Sequence, residues 1–250
     1  MVSLLLNTPL LDNLILYECE VELNLCLKCE EVDMSSWEQR GCYLTEVAER
    51  CLRGHKSFDL CRSHLVNASQ ISKGTIYNHF PTEADLVMSV ATAHFHKRLA
   101  RTVVDQIEHV DPLMRFLMHH CWCLRDDLLY QRFVIARVIP NVELQEQATA
   151  ANLASFESVY KAYMDWNREL IKEIGLVQGF DRGELVANYL RGAQINCDDA
   201  GKRYDDENLY YQFSYALTHL MGHSDKRIPD QVSFEKWLYR LSELEVVQAA

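Results

Sequence analysis

The chain has 250 residues, 48% of them apolar, with only nine Gly and five Pro, a balance that points to a helical globular protein with a sizeable core. Its formal charge of −11 argues against broad attraction to polyanions, and nine cysteines without a repeating spacing argue against a secreted disulfide framework and for a reducing cytoplasm. No apolar run reaches the roughly 18 residues that a spanning helix needs, so no membrane role is expected.

The charge is unevenly spread. Residues 1–33 hold one Lys against seven acids, residues 34–98 hold eight Lys and Arg against six acids with five His besides, and residues 99–250 hold sixteen against twenty-three. The middle segment is the positive one, which confines any attraction for nucleic acid to one end of the molecule.

Residues 1–33 mix leucine runs with acids and lack the positive start of an export signal. Met34-Ser-Ser-Trp reads as a fresh start, so residues 1–33 are treated as an extension without a functional part. Cys26-Leu-Lys-Cys29 has the spacing of half a zinc site, but no second pair follows at a suitable interval.

From Tyr43 to Gly54, the residues Leu44, Val47, Ala48, Cys51 and Leu52 keep helical spacing. Phe58, Cys61, Leu65 and Ala68 continue as a second helix capped by Ser57 or Asp59. A third helix follows in Gln70-Ile-Ser-Lys-Gly-Thr-Ile-Tyr-Asn-His-Phe80, with Ser72 as its N-cap and Pro81 as its stop. Ile71, Ile76 and Phe80 share the face that turns inward. Lys73, Gly74, Thr75, Tyr77, Asn78 and His79 fall on the remaining sides. Cation, hydroxyl and phenol suit phosphate oxygens, glycine permits close backbone approach, and Asn pairs with adenine.

The stretch Ser72-Lys-Gly-Thr-Ile-Tyr-Asn-His-Phe-Pro81, followed by Thr82-Glu-Ala-Asp-Leu86, resembles the recognition helix and next helix start of TetR/AcrR-type helix-turn-helix transcriptional regulators. The match is dense over residues 71–86, thins over 43–70, and beyond about residue 100 extends only to helical character. The resemblance implies an all-α fold, with a helix-turn-helix DNA-binding domain over 34–84 and a helical effector-binding and dimerisation domain over 85–250. It assigns DNA contacts to Arg40, Ser72, Lys73, Gly74, Thr75, Tyr77, Asn78 and His79. A homodimer on double-stranded operator DNA, with repression relieved by a small apolar or aromatic effector, is the expected activity. No catalytic residue, cofactor or metal enters that reading. The sequence departs from the family at three places: Gln70 stands where a turn glycine is usual, which asks for a left-handed residue at a cost of about 1–2 kcal/mol; Glu83 replaces a basic residue; and only Arg40 supplies positive charge before the first helix.

Thr82 caps a helix expected over Glu83–His109, with Leu86, Val90, Ala93, Leu99 and Val103 inward and His94 and His96 solvated. Asp111-Pro112 opens another, carrying His119-His-Cys-Trp-Cys123. His119 and Cys123 are four apart and His120 and Cys123 three apart, so a metal or redox sensor built on this cluster is a rival reading. A further ligand would have to come from an unidentified element, and polar packing at a helix seam is the plainer account. A long helix is expected over Val142–Ile174. Phe156, Tyr160 and Tyr163 on it, with Met114, Met118 and Trp122, form the expected effector-binding set. Helices over Asp181–Asp199 and Asp205–Met221 take the place of the family's dimer helices. The last helix carries Phe234, Trp237, Leu238, Leu241 and Leu244. A ligand-independent DNA-binding factor remains the other rival.

Overall fold

A computed structural model describes residues 35–175 and 181–248. The readings placed on residues 1–33, including the Cys26 and Cys29 pair, lie outside the described residues. Among the described residues every regular element is helical and none is a strand, as the all-α expectation requires. The elements are α1 (Ser36–Cys51), α2 (Arg62–Ser69), α3 (Lys73–His79), α4 (Glu83–Glu108), α5 (Pro112–Tyr130), α6 (Val134–Val138), α7 (Val142–Gln147), α8 (Ala150–Ile174), α9 (Arg182–Asp199), α10 (Glu207–Leu220) and α11 (Gln231–Gln248).

Local caps decide where these helices begin. α1 starts well before Tyr43 because Ser35 and Glu38 form a reciprocal capping box: the Glu38 amide donates to Ser35 Oγ at 3.3 Å and Ser35 N donates to Glu38 Oε2 at 2.8 Å. Thr82 and Asp85 close α4 in the same way, and Asp111 accepts from the Met114 amide at 2.9 Å ahead of Pro112. The second helix begins later than expected, at Arg62 rather than near Ser57 or Asp59. Cys61 takes its N-cap without a side-chain bond, and Ser69, not Ala68, is buried. The expected helix over 142–174 is two helices. Asp85 Oδ1 accepts both the amide and the hydroxyl of Thr149 at 2.8 Å each, which breaks the chain there and starts α8.

The buried side chains fall into two clusters. One joins Leu44, Val47, Leu65, Ile76 and Phe80 to Val90 and Phe95 of α4, Ile135 of α6, and Phe156, Val159 and Tyr163 of α8. The apolar interior therefore runs without a break across the expected boundary at residues 84 and 85. The other packs Phe116, Leu117, Cys121 and Leu124 of α5 with Tyr210, Phe213 and Leu217 of α10 and with Phe234, Trp237, Leu238, Leu241 and Leu244 of α11. α5 is the central rod, buried at every position from Phe116 to Leu128. Val103 is exposed and His94 is buried, each opposite to expectation, because α4 presents its His94 edge to α1 and α6. No helix among the described residues is long and apolar enough to cross a membrane.

Candidate nucleic-acid interface

The turn between α2 and α3 is built by Ser69 and Gln70. Gln70 adopts φ 58°, ψ 20°, the left-handed conformation expected where its usual counterpart is glycine. Ser69 is buried; its Oγ donates to the Leu65 carbonyl at 2.7 Å and accepts from the Ile71 amide at 3.2 Å, while Tyr43 donates to the Ser69 carbonyl at 3.2 Å. These bonds satisfy the polar backbone that the turn exposes and offset the strain at Gln70.

Ser72 then caps α3, accepting from the Thr75 amide at 3.3 Å. Ile76 is fully buried and Phe80 nearly so, which fixes the helix to α1 and α4. Ser72, Lys73, Gly74 and Asn78 stand exposed, with Thr75 and Tyr77 half-buried beside them. A Cβ at Gly74 would meet nothing within 4 Å, so packing within the chain does not call for glycine there. Arg40 is exposed on α1.

His79 does not belong to the free face. Its ring stacks on Trp37 at 3.5 Å between centroids and 16° between planes, and its Nε2 is buried without a hydrogen-bond partner. Burial, and then the charge of Arg40, hold its pKa below the ordinary histidine value. It is a strut between α3 and α1, a contact hidden from a sequence reading that begins the first helix at Tyr43.

Arg62 is the site residue that sequence reasoning missed. Its backbone amide and Nε donate to the Glu83 carboxylate at 2.9 and 3.0 Å, its Nη1 donates to the Phe80 carbonyl at 3.0 Å and also to the Pro81 carbonyl, and its guanidinium lies 4.3 Å from the centre of the Tyr77 ring. Lys73 Nζ approaches the same ring at 5.2 Å. Tyr77 is thereby held between two cations. From the start of α4, the Glu83 carboxylate reaches the first residue of α2, where its negative charge complements that helix's N-terminus. Of the eight Lys and Arg in residues 34–98, Lys56, Arg62, Lys97 and Arg98 pair with carboxylates of Asp198 and Asp199, Glu83, Asp126 and Asp127. Arg40, Arg50, Arg53 and Lys73 make up the other four and are exposed, with Lys73 on α3 itself.

Polar contacts also tie the α1–α3 end to the rest of the chain. Asp85 joins the start of α4 to Thr149. Gly54 donates to the Gln131 carbonyl at 3.0 Å with φ 75°, a left-handed conformation that favours glycine. Lys56 pairs with Asp198 and Asp199 at the end of α9, which Arg137 also holds. A cavity of about 20 Å³ lies at this junction, lined by Leu52, Val90, His94, Arg132 and Ile135 among others. It has room for about one water.

The six expected effector contacts separate. Met114, Met118 and Trp122 belong to the α5–α10–α11 cluster, whereas Phe156, Tyr160 and Tyr163 pack with Phe95 in the other. Trp166 touches both.

The His119–Cys123 cluster is wholly interior. His119 Nδ1 lies 2.7 Å from Asp105 Oδ2 and its Nε2 lies 3.0 Å from the Tyr163 hydroxyl and 3.5 Å from Cys123 Sγ. His120 Nε2 lies 3.0 Å from Asn167 Oδ1. Asp105 also binds Arg101, which reaches Glu108 in turn. Burial opposes protonation of His119, but Cys123 and the Asp105 carboxylate raise it to about 9; burial opposes ionisation of Asp105, but Arg101 and His119 hold its pKa below the ordinary carboxylate value. The two form a buried ion pair. His120, by contrast, is kept neutral by burial and by its charged neighbour His119.

No protein-family model and no curated protein sequence matches the chain.

Proposed function

We propose that the chain is a TetR-like, DNA-binding transcriptional regulator: a homodimer that sets two copies of α3 into successive major grooves of a double-stranded operator, about 34–36 Å apart. The observation that carries this reading is the outward set of Ser72, Lys73, Gly74 and Asn78 on a capped helix anchored by Ile76 and Phe80 and approached through a left-handed residue at Gln70. Lys73 and the α3 amides take phosphate oxygens, Gly74 lets the backbone close on the duplex, and Asn78 reads a base edge. Arg62 and Tyr77 hold Lys73 in place from behind. Leu185 and Tyr215 remain exposed on α9 and α10, the helices that the resemblance gives to the dimer. In this reading a small apolar or aromatic effector repacks the body, tilts α4 and releases the operator as repressor.

The division of the six expected effector residues between two packed clusters supports a second reading, a DNA-binding factor that answers to no small molecule. Both share one test of the reading end. Genomic fragments bound by the purified chain are selected and used in gel shifts. Lys73→Ala is expected to weaken binding to every selected fragment and lower the salt slope by about 1. Asn78→Ala is expected to cost about 1–3 kcal/mol and to relax preference at one base pair. Unchanged shifts from both variants, with melting temperatures also unchanged, reject the DNA-binding reading. A small-molecule panel on the bound complex then separates the two readings, since release by an apolar compound excludes the second.

A further inference from the structure

The buried cluster on α5 holds more donor atoms than helical spacing alone supplies. His119 Nε2, Cys123 Sγ and the Tyr163 hydroxyl form a triangle with edges of 3.0, 3.5 and 4.0 Å. The circle through three atoms so spaced has a radius of about 2.1 Å, within the range of zinc–nitrogen, zinc–oxygen and zinc–sulfur bonds of about 2.0–2.3 Å. His120 brings a further ring nitrogen, and the ligand atoms of His119, His120 and Cys123 lie within 4.8 Å of one another. His119 already has the outer partner of a metal-bound imidazole: its Nδ1 is held by Asp105, which fixes the ring and turns Nε2 toward Cys123. Asn167 holds His120 in the same manner. Trp166, with its ring 4.5 Å from that of His119, and Phe116, 4.4 Å from His120, wall the group with apolar surface.

We propose that His119, His120 and Cys123, with the Tyr163 hydroxyl as fourth donor, form a zinc site buried between α5 and α8. A thiolate with two imidazoles is the borderline-soft set that zinc takes in preference to magnesium or calcium. Binding expels the proton of the Cys123 thiol and the proton on His119 Nε2, so the ligands that now hydrogen-bond to one another share the cation instead. The site is independent of the DNA-binding reading, since none of its residues lies on α1, α2 or α3.

The test uses the purified full-length chain, zinc-free after chelation, titrated with Co²⁺ and Zn²⁺. One equivalent of Co²⁺ per chain is expected to bind, with a near-ultraviolet thiolate-to-cobalt band and intense tetrahedral visible bands that Zn²⁺ displaces. Cys123→Ser is expected to lose the thiolate band. Cys121→Ser, whose thiol faces Ser214, and the double variant Cys26→Ser, Cys29→Ser are expected to keep it. Asp105→Asn, which removes the carboxylate that holds His119 Nδ1 and Arg101 but no donor atom of the site, is expected to weaken binding about 10–100-fold. Should Cys123→Ser fail to fold by circular dichroism, X-ray absorption of the zinc-loaded wild-type chain decides: one sulfur at about 2.3 Å with nitrogen and oxygen at about 2.0–2.1 Å supports the site. Absence of stoichiometric binding, a thiolate band that survives in folded Cys123→Ser, or a zinc shell with no sulfur or several overturns it.

Discussion

α3 and the middle of α5 are made from similar side chains, amides, imidazoles and charges among a few large apolar residues, yet the two treat them oppositely. On α3 only Ile76 is buried, and Lys73, Gly74 and Asn78 face outward. From Phe116 to Leu128 every residue of α5 is buried, so each polar group must find a partner inside: His119 takes Asp105, His120 takes Asn167, and Asp127 takes Arg98 at 2.5 Å. The width of the apolar stripe makes the difference. A narrow buried stripe leaves polar residues facing outward, and a helix buried all round obliges its polar residues to find partners on neighbouring helices.

The largest effect should come from breaking the interior set. Asp105→Ala takes the buried carboxylate from His119 and leaves Arg101 with Glu108, and is expected to cost about 3–5 kcal/mol in urea unfolding. A loss under 1 kcal/mol would mean that the interior network carries little of the stability, and the contrast with α3 would fail. A middle effect concerns pH. Burial, followed by the charges of Arg98, Arg132 and Lys97, keeps His94 neutral well below its ordinary pKa of 6.5. The folded pKa is depressed, so the unfolded chain takes up a proton that the folded chain refuses as pH falls below 6.5. His94 should therefore contribute a loss of stability approaching about 1.4 kcal/mol per pH unit on the acid side of that value. His94→Gln is expected to flatten the urea-midpoint profile between pH 6.5 and 5, and an unchanged slope would count against the depressed value. The smallest effect belongs to α3. Gly74→Ala has an open site for its methyl group and removes a flexible residue from a helix, so it should stabilise the chain by about 0.5–1 kcal/mol while weakening the selected DNA complex. Destabilisation would place Gly74 in the service of the fold instead.

Much of the α1–α3 end was legible in the chain itself. Ser72 as N-cap and Ile76 and Phe80 as anchors follow from short-range spacing, the left-handed demand on Gln70 follows only from the family resemblance, and the structure has them so. His79 was misread because its partner Trp37 lies 42 residues away on a turn of α1 that apolar spacing alone does not reveal, although the Ser35–Glu38 capping box marks it. Arg62 escaped for a related reason: its partners Tyr77, Phe80 and Glu83 meet only once α2, α3 and α4 have folded together. On α8 the periodicity of Phe156, Tyr160 and Tyr163 announced an inward face correctly but not which helix it meets, and that neighbour is α4 with its Phe95, not the Met114–Met118–Trp122 side of α5. The break at Thr149 depends on a carboxylate 64 positions earlier.

That carboxylate, Asp85, anchors two helix starts at once. It closes the first turn of α4 and receives both donors of Thr149, so α4 and α8 are riveted together at their near ends while Asp105, five and a half turns along α4, stands about 30 Å away. Asp85 thus sets the spacing of the two helix starts, and farther along the pair Phe95 packs on Phe156, Tyr160 and Tyr163.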